Sequence, residues 1–229
     1  MEWIERVLVT AVLLASVVAF GYVLWKFRLG HVWPKRREVR IVHPAGFFSG
    51  VWEVVTQSVV LRNRPWIGLF HLPLFFGLLA FLVKSVIHVL WGLGLEVTAP
   101  AWYNRFLDVT AVLVLASVVV LAVRRYFVDR EKLTHLFESG IILGLIALLM
   151  ITHLLEQAVA LESAMGKVNW WAHYLVLAVF PAVIAYGKHL HLMLAPVNVV
   201  LKHMTEVPSD RPVFGNDLDM DLEIGRAHV

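Results

Sequence analysis

The sequence predicts an all-α integral membrane protein, a bundle of five transmembrane helices. Hydrophobic residues make up 59% of the chain and charged residues only 16%, where a soluble domain of this length carries about 25% charged residues. The mean hydropathy is +0.74. The apolar residues also gather into five runs, at about 3–26, 66–91, 106–127, 138–161 and 170–194, each reaching the roughly 20 residues needed to cross a hydrocarbon core.

A segment in hydrocarbon must satisfy its backbone internally, so each run is read as a helix. The first, with an apolar stretch from Val7 to Trp25, is too long for a signal-peptide core and lacks a small-x-small exit, and it is read as a retained span. The loop behind it holds Lys26, Arg28, Lys35, Arg36, Arg37, Arg40, Arg62 and Arg64. Within that loop, residues 43–65 mix aromatic and polar side chains below spanning hydrophobicity, the pattern of a helix lying in the membrane interface. Spans three and four are joined by a second basic loop with Arg124, Arg125, Arg130 and Lys132, and the other loops are poor in Lys and Arg. By the positive-inside rule the N-terminus lies outside and the C-terminus in the cytoplasm. The fifth span carries Pro181, which kinks it or is tolerated by neighbour packing. After Pro196 the chain turns polar, so residues 1–203 form the membrane domain and 204–229 a cytoplasmic tail.

The net charge of +3 would suit nucleic acid, but the basic residues sit beside apolar runs, which assigns them to the bilayer surface and leaves no nucleic-acid partner. There is no cysteine. That excludes disulfides, thiolate zinc sites, Fe–S clusters held by this chain and covalent haem attachment.

Eleven histidines remain, and those in or beside spans are informative because ionisable groups at membrane depth mark a functional site or an internal partner. His71 and His88 lie on span two, His153 on span four, and His173, His189 and His191 on span five. A cofactor held between two helices takes one ligand from each at a common depth. His71 pairs in this way with His191 near the inner face, and His88 with His173 near the outer face. His173 and His191 are eighteen residues apart, about five helical turns, so a continuous helix would project both from one face. His189 is rotated roughly 160° from His173 and is the weaker inner candidate. Bis-histidine ligation in an apolar bundle is the ordinary way to hold haem b, and two haems are expected, with haem iron as the metal. His153 is the alternative outer ligand, although it lies about 13 Å deep where His88 and His173 both sit close to that face. Two other readings compete: a metal-handling or transporter-type membrane protein, and a membrane anchor with one haem or none.

The last span and its exit, "NWWAHYLVLAVFPAVIAYGKHLHLMLAPVNVVLK", resembles the terminal segment of cytochrome b subunits similar to the gamma subunit of respiratory nitrate reductase. It looks closest to the membrane domains that accompany heterodisulfide-reductase-like Fe–S proteins. Trp170, Trp171, His173, Lys188, His191, Ala195, Pro196 and Asn198 carry the likeness, together with "RPWIGLFHLPLFFGLL" at the start of span two, which places His71 as an inner ligand. The resemblance implies a multi-pass subunit of the cytoplasmic (inner) membrane in a respiratory oxidoreductase complex. It would exchange electrons between the quinone pool, menaquinone or ubiquinone, and a cytoplasmic Fe–S partner on a separate chain. In that setting Lys84, four residues before His88, would reach a haem propionate or a quinone carbonyl. Glu156 and His153 would take the protons that a quinol releases with its electrons.

Overall fold

The computed structural model describes residues 3–26, 41–128, 136–187 and 190–205, and these are helical apart from turns, short connections and an isolated bridge between Ile41 and Thr205. In chain order the helices are α1 (Trp3–Leu24), α2 (Gly46–Thr56), α3 (Ser58–Asn63), α4 (Pro65–Gly92), α5 (Ala101–Val123, continued by a π turn over Arg124–Val128), α6 (Leu136–Ala158), α7 (Ala164–Tyr186) and α8 (His191–Met204). Five of them, α1, α4, α5, α6 and α7, are long and apolar enough to cross a membrane. The protein is accordingly a multi-pass membrane protein, all helical across the described residues. Its outward faces suit that solvent: Val18 is 69% exposed and Val109 63%, positions that would be misplaced in water but that lipid covers.

The chain divides into two compact units, residues 1–18 with 66–181, and residues 19–65 with 182–229. In the first, Phe81, Leu107, Ala111, Val114, Val118 and Met150 pack α4, α5 and α6 together. Gly77 permits the close approach of α4 to α5, because a Cβ there would meet Val114 Cγ2 at 2.6 Å. A second cluster of Val9, Trp170 and Tyr174 joins α1 to α7. Polar side chains tie the helices through spare carbonyl lone pairs: Tyr174 Oη–H donates to the Val9 carbonyl at 2.8 Å and Tyr103 Oη–H to the Ala80 carbonyl at 2.5 Å.

In the second unit α2 lies against α8. A Cβ on Gly50 would come within 2.6 Å of Val200 Cα, so the two backbones are nearly in contact there. Glu53 accepts from His203 Nε2 at 2.9 Å, and the N–H groups of Val42 and His43 both donate to the Met204 carbonyl. The expected interfacial segment is thus a helix pair, α2 and α3, broken at Gln57, whose φ of 50° is left-handed.

The fifth span differs from its expected limits. It begins at Ala164 rather than near residue 170, since Ser163 caps it by accepting from the Gly166 N–H at 3.0 Å. It ends at Tyr186, where Gly187, a poor helix former, makes the last bond back to Val183, and a separate helix starts at His191. The exit through Pro196 is helical: Pro196 falls in the second turn of α8, where its missing N–H leaves only one intrahelical bond unmade. A consequence follows for the histidines. His173 and His191 stand on different helices, so the five-turn phase argument does not apply to them. The tail from residue 206 lies outside the described residues.

Candidate functional site

Four helices of the first unit each present two polar side chains four residues apart, the spacing that sets both on one helix face. They are Lys84 and His88 on α4, Asn104 and Asp108 on α5, Thr152 and Glu156 on α6, and Asn169 and His173 on α7. Together with His153 they form a polar cluster inside an otherwise apolar bundle.

His88 and His173 are brought face to face, with ring centroids 4.9 Å apart, and both are buried. The indole of Trp170 stacks on the His88 ring at 5.1 Å and 16°, which fixes the ring plane. On the other side, Thr152 orients His173. Its Oγ–H donates to the Leu148 carbonyl at 2.7 Å, so the hydroxyl can only accept from His173 Nδ1, also at 2.7 Å. In that arrangement Nδ1 carries the proton and Nε2 the lone pair, and the Leu149 backbone is a further hydrogen-bond partner of the His173 ring. His88 Nε2 is buried with no hydrogen-bond partner among the described residues.

His153 is placed otherwise. It is 1% exposed, its ring stands edge-on to Phe81, and its Nε2–H donates to Asp108 Oδ1 at 3.1 Å. Its Nδ1 lies 3.9 Å from Glu156 Oε2, and Glu156 Oε1 in turn is 3.8 Å from Lys84 Nζ. The chain Asp108, His153, Glu156, Lys84 crosses three helices and sets the imidazole between two carboxylates. The α6 residue that meets His173 is thus Thr152, one position before His153.

A cavity of about 360 Å³ opens beside the histidine pair, lined among others by Lys84, His88, Asn104, Glu156, Asn169 and His173. It lies within the usual size range of small-molecule sites. His71 is not part of this cluster; it sits half-buried on α4, seventeen residues before His88 and so about 25 Å away along the helix. His191 opens α8, but its side chain lies outside the described residues, as do Lys188 and His189.

Sequence reasoning singled out Lys84, His88, His153, Glu156 and His173, and the structure gathers all five. It passed over Asp108, Asn104, Thr152 and Asn169. The signal was present, since Asp108 is a carboxylate in an apolar run and each of the four belongs to a polar i, i+4 pair. Among the described residues, no three His, Asp or Glu side chains converge as a metal-ion site would require. The chain matches no family model, no characterised protein and no solved structure in these comparisons.

Proposed function

We propose that the protein is the membrane cytochrome b subunit of a respiratory oxidoreductase, carrying electrons between the quinone pool and a cytoplasmic Fe–S partner. The observation that carries this reading is the buried His88–His173 pair, contributed by two different spanning helices and oriented by Trp170 and Thr152. The donor set fits an imidazole-ligated haem: His88 Nε2 has no partner among the described residues, and His173 turns its Nε2 lone pair away from the anchored Nδ1. His88 and His173, whose ring centroids are 4.9 Å apart, would hold the haem iron between them. Haem b held there supplies one-electron chemistry. A second haem is assigned on the sequence pattern alone to His71 and His191.

With basic loops inside, the N-terminus lies outside, the C-terminus is cytoplasmic, and the His88–His173 pair falls near the outer face of the inner membrane. Lys84, Glu156 and His153 then form the quinone-reactive side. Glu156 and His153 Nδ1 hold the two protons that a quinol gives up with its two electrons. Asp108, by fixing Nε2–H, keeps Nδ1 the open nitrogen and balances the charge that His153 acquires. Lys84 offsets Glu156 and an anionic group bound beside it. The basic residues Arg62, Arg64 and Lys202 are the proposed dock of the Fe–S partner.

Haem quantification by pyridine haemochrome on the purified chain tests the assignment. Two haems b per chain are expected; a folded preparation, made with haem supplied, that contains none removes it.

A further inference from the structure

A second cavity, of about 540 Å³, is lined by Glu5, Trp91, Glu162, Lys167, Trp170 and Trp171. It shares Trp91 and Trp170 with the cavity beside the histidine pair, whereas Glu5, Glu162, Lys167 and Trp171 belong to it alone. All six residues lie in the first compact unit. Glu5 stands in the first turn of α1, Trp91 in the last turn of α4 and Lys167 in the first turn of α7. The cavity therefore opens at the ends of helices long enough to span a bilayer, the depth at which phospholipid headgroups lie. Its indoles are not parallel: Trp91 is tilted 59° from Trp170 at 5.8 Å, and Trp171 stands at 88° to Trp170 at 5.1 Å. Rings turned in different directions make a corner rather than a stacking slot, which suits a rounded alkylammonium group better than a flat ligand. The charges agree, with two carboxylates to one ammonium. Lys167 Nζ is 4.0 Å from Glu5 Oε1, at the edge of ion-pair range, and the exposed Glu162 forms no ion pair among the described residues. Further along each helix the surface turns apolar. Leu8, one turn beyond Glu5 on α1, is 50% exposed, and Leu175, one turn beyond Trp171 on α7, is 47% exposed.

We propose that this cavity seats the headgroup of one zwitterionic phospholipid, ethanolamine or choline, with the ammonium against Glu162 and the indole faces and the phosphate toward Lys167. A free solute carrying the same ammonium and phosphate would make the same polar contacts. The leucines beyond the cavity favour the lipid, because acyl chains leaving a headgroup seated there would run over them. An anionic headgroup such as that of phosphatidylglycerol brings no cation and sets its phosphate beside two carboxylates, so the site discriminates by charge as well as by shape. The site is distinct from the His88–His173 pair, and the proposal holds whatever that pair binds.

Native mass spectrometry of the delipidated full chain in detergent tests this with phosphatidylethanolamine, phosphatidylcholine and phosphatidylglycerol of identical acyl chains, and with soluble glycerophosphoethanolamine. The first adduct is expected to form about tenfold more tightly with the better of the two zwitterionic lipids than with phosphatidylglycerol, and glycerophosphoethanolamine to bind at least about tenfold more weakly than phosphatidylethanolamine. Glu162→Gln and Trp171→Leu should each reduce the preference over phosphatidylglycerol to about threefold or less. Equal or tighter binding of phosphatidylglycerol overturns the proposal, since lipid would then be held by its acyl chains alone. Glycerophosphoethanolamine binding as tightly as the lipid overturns the lipid as occupant and gives the cavity to a free solute. A preference undiminished in both variants places the selective site elsewhere and overturns the proposal as well. The comparison of probes on the natural protein needs no substitution to fold.

Discussion

Asp108 pairs with His153 at 3.1 Å in a part of the bundle where an unpaired charge would be costly. A carboxylate that holds an imidazole N–H fixes which nitrogen can receive a proton and stabilises the cation that results. Asp108→Asn keeps the acceptor oxygen but removes that compensating charge, so quinol oxidation should slow by roughly 10²-fold, the usual scale of a general base's contribution, with haem content unchanged. Stopped-flow reduction of the haem by quinol measures it. A rate equal to that of the natural protein would mean that the pair is structural only. At this scale the sequence was legible wherever an ionisable residue interrupted an apolar run, as Lys84, His88, His153, Glu156 and His173 do. Asp108 meets the same criterion. Asn104, Thr152 and Asn169 are ordinary polar residues whose role depends on which carbonyl their hydrogen-bond donor finds, as Asn169 finds that of Thr152, and that is a tertiary fact.

Helices α2 and α8 meet at Gly50, where the facing atom is Val200 Cα and not a flexible side chain. Gly50→Ala must therefore push the two backbones apart, at a cost of about 1–3 kcal/mol for overpacking. Gly144, around whose Cβ position nothing lies within 4 Å, is the control, and Gly144→Ala should be neutral or slightly stabilising. Thermal unfolding in detergent is expected to show a lower Tm for the first variant and not the second; equal Tm values would mean that the contact relaxes freely. The long apolar elements were legible because a lipid-facing helix shows its character on every side. The ends were harder. "HLHLMLAPVNVVLK" is apolar enough to merge with the span before it, and neither Gly187 nor Pro196 announces that the chain closes one helix at Tyr186 and opens another at His191. That break removes the shared helix on which the phase of His173 and His191 was argued.

At the scale of the whole molecule, five helices are long and apolar enough to span a membrane, and the proposed topology puts the two ends of the chain on opposite sides. In the proposed topology the basic loops lie on the cytoplasmic side, which would put Arg130 inside and Glu162 outside. Because the chain has no cysteine, Arg130→Cys and Glu162→Cys can be labelled without any background substitution. A membrane-impermeant maleimide should label Glu162→Cys in right-side-out membranes and Arg130→Cys only in inverted ones; the reverse pattern would invert the molecule and carry the His88–His173 pair to the cytoplasmic face. The central claim concerns what that pair holds. Its most direct test is a reduced-minus-oxidised spectrum, with haem counted per chain, recorded side by side for the natural protein and for His88→Ala. Two haems b falling to one, with the remaining spectrum that of a low-spin b haem, is the predicted result. No haem in the natural protein, or a count that His88→Ala leaves unchanged, would contradict the account.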